Sequence, residues 1–157
     1  TVIALTIIRR HRLIETWLVD ELGYRWDEVH DEAEVLEHSM SDRILDAIDA
    51  RLGHPSRDPH GDPIPSADGQ VRLPAAVPLT ELAAGSGGVV ARVDDRDPLV
   101  LRHLAAEGIG LDTELEIVDR VVSGGGMRVL VRGTTRAADR TLDLADPAAS
   151  AIRVIPV

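Results

Sequence analysis

Histidine and carboxylate side chains recur at helical spacing near the start of this sequence. Four of them would share one face of a helix, because residues three or four positions apart are neighbours on that surface: His30, Glu34, Glu37 and His38. A further pair with four-residue spacing, His11 and Glu15, belongs to an earlier helical pattern. Imidazole nitrogens and carboxylate oxygens are common ligands of divalent transition metals. The six groups together therefore predict a metal site, and a metal sensor is our functional hypothesis.

Two alternatives use the same residues differently. Charged residues three or four apart usually form a solvated helix face with weak pairing, which would leave a metal-free dimerisation or protein-interaction module. A di-metal carboxylate enzyme is the other alternative. Such bundles use Glu-x-x-His spacing, whereas Glu34 lies four residues before His38, and no zinc-protease His-Glu-x-x-His motif is present.

Composition narrows the chemistry. The chain contains no cysteine, which excludes disulfides, thiolate metal sites and cysteine nucleophiles. The formal net charge of −10 argues against a large nucleic-acid surface on this chain taken alone. Neither a signal peptide nor a membrane-spanning apolar run is visible, so we expect a cytoplasmic protein with no membrane partner. Because the chain opens at Thr1 directly into an apolar helical pattern, we expect it to be a fragment.

Three helices are predicted in the first 52 residues. Apolar residues recur at helical spacing from about Val2 to Leu22, and Gly23 marks the end of that helix. A second helix should begin near Trp26 or Asp27 and continue to about His38. Ser41 should cap a third helix that ends at Gly53. Three helices make a thin core, which favours a homodimer.

The segment from His54 to Pro65 is predicted to be a loop because four prolines interrupt it. Four of its side chains are further candidate ligands, although turns also recruit Asp for local bonding: His54, Asp58, His60 and Asp62. We predict a helical domain over 1–65, a linker over 66–77 and a second domain over 78–157.

The second domain changes to short β-branched runs, which are typical of a small antiparallel barrel. The predicted strands are Val89–Val93, Glu114–Val118, Met127–Val131 and Ile152–Ile155. A helix should lie over Asp97–Glu107, with Leu99, Leu101 and Leu104 facing inward, and Asp146-Pro147 should start a short helical turn. The glycine-rich stretch Ser123–Gly126 is predicted to be a hairpin connection. No catalytic constellation is visible there, so we expect no enzyme activity.

Three stretches resemble the diphtheria toxin repressor family of metal-dependent transcriptional regulators. They are Arg10–Glu15, Val29–Asp42 and Pro59–Pro65, and their order, spacing and proline loop all agree. The resemblance implies an α+β chain: a helical metal-binding and dimerisation domain followed by an SH3-like barrel of the FeoA type. It further implies a homodimer that contacts operator DNA through a winged-helix domain preceding Thr1 and absent from this chain.

The resemblance also implies how the ligands divide. The primary site would be Glu34, Glu37 and His38, and it would be incomplete because the family adds a ligand from the DNA-binding domain. The ancillary site would be His11, Glu15 and His30, with Asp97 of the barrel as a possible addition. Iron-sensing members typically carry Cys where this chain has Glu34, and a hard carboxylate favours Mn²⁺ over Fe²⁺. Zn²⁺ or other divalent ions could substitute in vitro.

Overall fold

The computed structural model describes residues 1–121 and 124–157. The chain folds into two compact units, Thr1–Leu73 and Pro74–Val157. The segment predicted as a linker, 66–77, is therefore divided between them. We describe each unit by itself.

The first unit contains the three predicted helices: α1 Val2–Leu22, α2 Val29–Glu37 and α3 Asp42–Arg51. Gly23 ends α1 in the left-handed conformation at φ 73°, which glycine adopts without steric cost. The Ser41 hydroxyl accepts a hydrogen bond from the Ile44 amide and caps α3, as predicted. Within residues 1–121 and 124–157, no helix combines the length and apolar character needed to cross a membrane.

Helix α2 begins two to three residues later than predicted. Residues 26–28 form a turn, in which the Glu28 amide donates to the Arg25 carbonyl oxygen at 3.2 Å. The Glu28 carboxylate in turn accepts from the Arg25 amide, and the Trp26 ring stacks on His60. These local bonds and a long-range ring contact compete with the helix start, which the spacing of apolar residues cannot reveal.

The helical core lies between α1, α2 and α3. It consists of Ile14 and Leu18 of α1, Val29 and Ala33 of α2, and Leu45 of α3, with Trp17 packed against its edge. Burying a large apolar side chain contributes roughly 1.5–3 kcal/mol, so this cluster fixes α1 against α2. The predicted apolar stripe is buried only in the middle of α1, because Ile3 and Ile7 are exposed.

The proline loop returns to α1, where arginines hold it. Arg12 donates to the Pro63 carbonyl oxygen at 2.5 Å, and Arg9 donates to that of Pro65 at 2.8 Å. Within the loop, the Asp58 amide donates to the Asp62 carbonyl oxygen at 2.9 Å. The loop is thus fixed beside the face of α1 that carries Glu15.

The second unit is a six-stranded antiparallel sheet. Its strands are β1 Val77–Pro78, β2 Gly87–Val93, β3 Glu114–Arg120, β4 Met127–Val131, β5 Arg140–Leu144 and β6 Ile152–Pro156, in the order β1-β6-β2-β3-β4-β5. Helices α4 Pro98–Ala106 and α5 Asp146–Ala151 lie where helical segments were predicted. The α+β prediction is confirmed.

Two details of the second unit differ from prediction. Leu99 is 68% exposed, whereas Leu101 and Leu104 are buried, because residues two apart on a helix point in different directions. Strand β5, Arg140–Leu144, lies at the edge of the sheet and was not predicted, because Leu144 is the one buried residue of its five. In the predicted hairpin connection Ser123–Gly126, Ser123 lies outside the described residues, while β3 and β4 pair on either side of it.

Candidate metal centre

Helices α1 and α2 bring three predicted ligands together. His11 Nε2 lies 3.0 Å from Glu15 Oε1 and 3.1 Å from His30 Nδ1, and His30 Nδ1 lies 3.3 Å from Glu15 Oε1. One ligating atom from each residue lies within 4.8 Å of the others. The positions follow from the core, because Glu15 adjoins the buried Ile14 and His30 adjoins the buried Val29.

Burial and neighbouring charges shift the pKa values of His11 and Glu15 in this cluster. Hydrogen bonding to Glu15 is the largest influence on His11 and outweighs the opposite effect of burial, so the pKa of His11 is raised to about 9. Glu15 is 1% exposed. Burial alone would raise the pKa of Glu15, but the hydrogen bond and charge of His11 oppose it and the pKa falls below its ordinary value. A cation held by Glu15 is thus favourable, and without a metal the proton on His11 supplies it.

Glu37 links α2 to the same cluster. Its Oε2 lies 2.7 Å from His11 Nδ1, and its Oε1 lies 3.6 Å from His38 Nε2. Once the ring is neutral, a carboxylate that accepts the Nδ1 proton leaves the Nε2 lone pair facing Glu15 and His30, the usual arrangement of a metal-binding histidine. His38 and Glu34 are exposed near the end of α2. Among the described residues, the converging groups of ligating atoms do not include these two side chains.

The proline loop adds a second convergent group. Ligating atoms of Glu15, Asp58 and His60 lie within 4.8 Å of one another, and all three residues are buried. Burial is the main reason that the pKa of Asp58 is raised to about 7, and the negative charges of Asp62 and Glu15 add to it. Asp58 and His60 were candidate ligands from the loop composition. They lie close to Glu15 because the loop packs against α1, and the spacing of residues along the sequence does not predict that long-range contact.

The remaining loop candidates have other partners. His54 Nδ1 lies 2.8 Å from the carboxylate of Asp49, which also accepts from Arg9 at 2.9 Å. The Asp62 carboxylate lies 4.0 Å from Arg12. Arg12 also lies 3.6 Å from Asp58, and its role in holding the loop was not predicted.

Asp97 belongs to the second unit. Its carboxylate caps α4 by accepting from the Leu99 amide at 2.9 Å, and its side chain is exposed. This contact gives Asp97 a local structural role. Metal ligation by Asp97 stays a prediction.

Two family models match the chain. The model for the iron dependent repressor metal binding and dimerisation domain matches residues 1–66, and the FeoA domain model matches residues 77–156. Among curated relatives, the iron-dependent repressor IdeR of Mycobacterium tuberculosis is 35% identical over 147 residues, covering 83% of this chain. The diphtheria toxin repressor of Corynebacterium diphtheriae is 36% identical over 128 residues, covering 75% of this chain and 57% of that protein. This chain spans only 61% of the length of IdeR.

Solved structures show the same relationship. A manganese-dependent transcriptional repressor in complex with manganese has a TM-score of 0.91 at 54% identity, covering 98% of this chain and 71% of that one. A second structure of a manganese-dependent transcriptional repressor has a TM-score of 0.90 at 55% identity, with coverages of 98% and 80%. With both domain models and the ligand geometry in agreement, this chain belongs to the diphtheria toxin repressor family of metal-dependent transcriptional regulators.

Proposed function

We propose that this chain is the metal-sensing and dimerisation portion of a divalent-metal-dependent transcriptional repressor that controls metal homeostasis genes. The observation that carries the proposal is the convergence of His11 and Glu15 of α1 with His30 of α2 within 4.8 Å. Operator DNA would be contacted through a winged-helix domain outside these 157 residues. In this scheme 1–65 senses metal, 66–77 is the linker, and 78–157 is an SH3-like FeoA barrel.

The side chains of the cluster suit a divalent ion. Two imidazoles and one carboxylate supply nitrogen and oxygen ligands, and a bound ion would supply positive charge that draws α1 and α2 together. Glu37 holds the His11 ring so that Nε2 faces the cluster, at an Nδ1 to Oε2 distance of 2.7 Å. His11 must lose its proton for the ion to bind. Ligands from two helices couple occupancy to the angle between those helices, and binding must favour the DNA-competent geometry to act as a switch.

A primary site of Glu34, Glu37 and His38 belongs to the same proposal. Glu37 and His38 already lie near one another at the end of α2, with 3.6 Å between Oε1 and Nε2. Glu34 is one helical turn before them and free to reorient because it is exposed. A ligand from the DNA-binding domain would complete this site, so its affinity in the 157-residue chain should be reduced.

Manganese is our preferred ion, with Fe²⁺ as the alternative. The carboxylate of Glu34 is a hard oxygen ligand, which suits Mn²⁺ better than a thiolate would. The solved relatives at 54% and 55% identity are manganese-dependent repressors, whereas IdeR at 35% identity is an iron-dependent repressor. Zn²⁺ should bind nitrogen and oxygen sites more tightly than Mn²⁺, so affinity alone does not identify the native ion.

We propose that the homodimer forms through the exposed face shared by α1 and α3. A shallow depression there is lined by the apolar residues Trp17, Ile44, Ala47 and Ile48 and by the arginines Arg43 and Arg51. Ile44 is 48% exposed although it lies on the face that also carries the buried Ile48. A second copy that covers this depression would remove apolar surface from water and thicken the core.

The two alternative functions make different predictions. A di-metal carboxylate enzyme would show multiple turnovers when loaded with metal, and membership of a family of repressors disfavours it. A metal-free dimerisation module would show no change in melting temperature with Mn²⁺. If the chain has a metal site, free metal at 100 times the dissociation constant of that site should instead add about 2.7 kcal/mol to the free energy of unfolding.

Calorimetric titration of Mn²⁺ into the 157-residue chain tests the proposal. The wild type should bind Mn²⁺, His30→Gln should lose the ancillary ion, and Glu34→Gln should weaken only the primary ion. His103→Gln is the matched control, because His103 is an exposed histidine of α4 in the second unit. Equal uptake by the wild type and His30→Gln would contradict the assignment.

A further inference from the structure

We infer that Glu15, Asp58 and His60 form a second cation site, so that Glu15 bridges two divalent ions in one dinuclear centre. The inference rests on the proposed function, because the first ion would be the one bound by His11, Glu15 and His30. Ligating atoms of both groups converge around Glu15, each group within 4.8 Å. A carboxylate has two oxygens, and Oε1 is the one that faces the two imidazoles at 3.0 and 3.3 Å.

The donor set fits a cation rather than an anion. One imidazole and two carboxylates are ligands that Mn²⁺, Fe²⁺ and Zn²⁺ accept. Exposures of 1% for Glu15, 4% for Asp58 and 0% for His60 mean that water solvates these groups poorly. Buried carboxylates need positive charge nearby. Arg12 supplies part of it to Asp58 at 3.6 Å, and a divalent ion would supply more at the point where the carboxylates meet.

One ring nitrogen of His60 is fixed by the backbone. Its Nε2 lies 2.6 Å from the Trp26 carbonyl oxygen, which can only accept a hydrogen bond, so Nε2 carries the proton. In the neutral form of the ring, the lone pair would lie on Nδ1. Donation of the other ring nitrogen to a backbone carbonyl is the arrangement that usually fixes the tautomer and orientation of metal-binding histidines.

The loop holds Asp58 in place through its Oδ1 oxygen. Its Oδ1 accepts from the amides of His60 and Asp62, both at 2.9 Å. Its Oδ2 forms an ion pair with Arg12, at 3.6 Å from Nε and longer than a hydrogen bond. The arginine also donates to the Pro63 carbonyl oxygen, so it braces the loop while Oδ2 stays within reach of an ion.

Mn²⁺ binding followed by calorimetry and electron paramagnetic resonance tests the inference on the 157-residue chain. Two Mn²⁺ ions bridged by one carboxylate couple magnetically, which broadens the six-line signal of an isolated ion. We expect a coupled spectrum at saturation in Glu34→Gln, which lacks the isolated primary ion, and the loop variants are compared in that background. Asp58→Asn and His60→Gln should each bind one ion fewer and recover the six-line signal. Asp62→Asn, a buried acid of the same loop outside the triad, is the matched control and should retain the wild-type count and spectrum.

The outcomes separate this inference from the proposed function. If Asp58→Asn and His60→Gln keep the wild-type ion count while His30→Gln loses one ion, the dinuclear centre is wrong and the sensor proposal stands. If the wild type binds no Mn²⁺, both are wrong. Circular dichroism with a chelator present establishes whether each variant folds. Should both loop variants unfold, the spectrum of Glu34→Gln decides, because that variant lacks the primary ion, and a purely uncoupled six-line signal from its fully occupied remaining sites overturns the bridge.

Discussion

Protonation of His11 should control how tightly the chain binds metal. The hydrogen bond with Glu15 raises the pKa of His11 from 6.5 to about 9, with further contributions from Glu37. At pH 7 only about 1% of the molecules would then have a neutral His11 ring. An incoming ion must displace that proton, because a metal-binding histidine is neutral. The affinity of the ancillary site should therefore depend steeply on pH.

The size of the effect follows from the pKa. With a value near 9, the His11 contribution raises the apparent affinity about tenfold per pH unit, or about 100-fold between pH 6 and pH 8. With the ordinary value of 6.5, the same interval would give only about a fourfold rise. Binding should also release about one proton from His11 per ion at pH 7.

Two assays measure this prediction independently. Nuclear magnetic resonance of the metal-free chain should give a His11 titration midpoint near pH 9, and Glu37→Gln should lower it because Glu37 raises that pKa. Glu32→Gln, which removes another carboxylate of α2, is the control and should leave the midpoint close to wild type. Calorimetry of Mn²⁺ binding in buffers of different ionisation enthalpy should detect the released proton. A midpoint near 6.5 together with a fourfold affinity change would refute the reasoning.

Three further predictions concern stability and assembly. Ile14→Ala should lower the free energy of unfolding by about 2–5 kcal/mol in urea denaturation, because Ile14 is fully buried in the helical core. Ile44→Glu should convert the dimer to a monomer in light scattering while leaving circular dichroism unchanged, and a persistent dimer would exclude this face. Asp58 has a folded pKa of about 7, above its ordinary 3.8, so its contribution to stability is complete below pH 3.8 and lost as the pH rises through 7. Chelator-treated protein should thus lose stability between about pH 4 and pH 7, and Asp58→Asn should lose less over the same interval.

Local patterns in the sequence were sufficient to predict that the three helices exist and which candidate ligands lie on their faces. The bounds of α1 and α3 were predictable because Gly23 and Ser41 act within a few residues of the helix ends they define. The approach of His30 to His11 was implied by histidine and glutamate spacing on two helices, once the adjoining apolar residues pack together. Periodicity therefore carries information about which residues share a face.

Features that depend on distant partners could not be predicted in the same way. The turn before α2 forms where Trp26 stacks on His60, 34 residues away. Strand β5 lies at the edge of the sheet, and Leu144 is its one buried residue. Its sequence therefore contains few of the buried apolar residues from which a strand is predicted. The meeting of Asp58 with Glu15 likewise depends on Arg12 holding the loop to α1. The composition of the loop identified candidate ligands, and the packing of the loop determines which of them lie near Glu15.

Anomalous X-ray diffraction at the manganese edge, from crystals of the 157-residue chain grown with Mn²⁺, tests the central claim most directly. We expect a peak within coordinating distance of His11, Glu15 and His30, where α1 and α2 already bring the ligating atoms within 4.8 Å of one another. Manganese bound elsewhere on the chain, with no peak between these three side chains at full occupancy, would contradict the account.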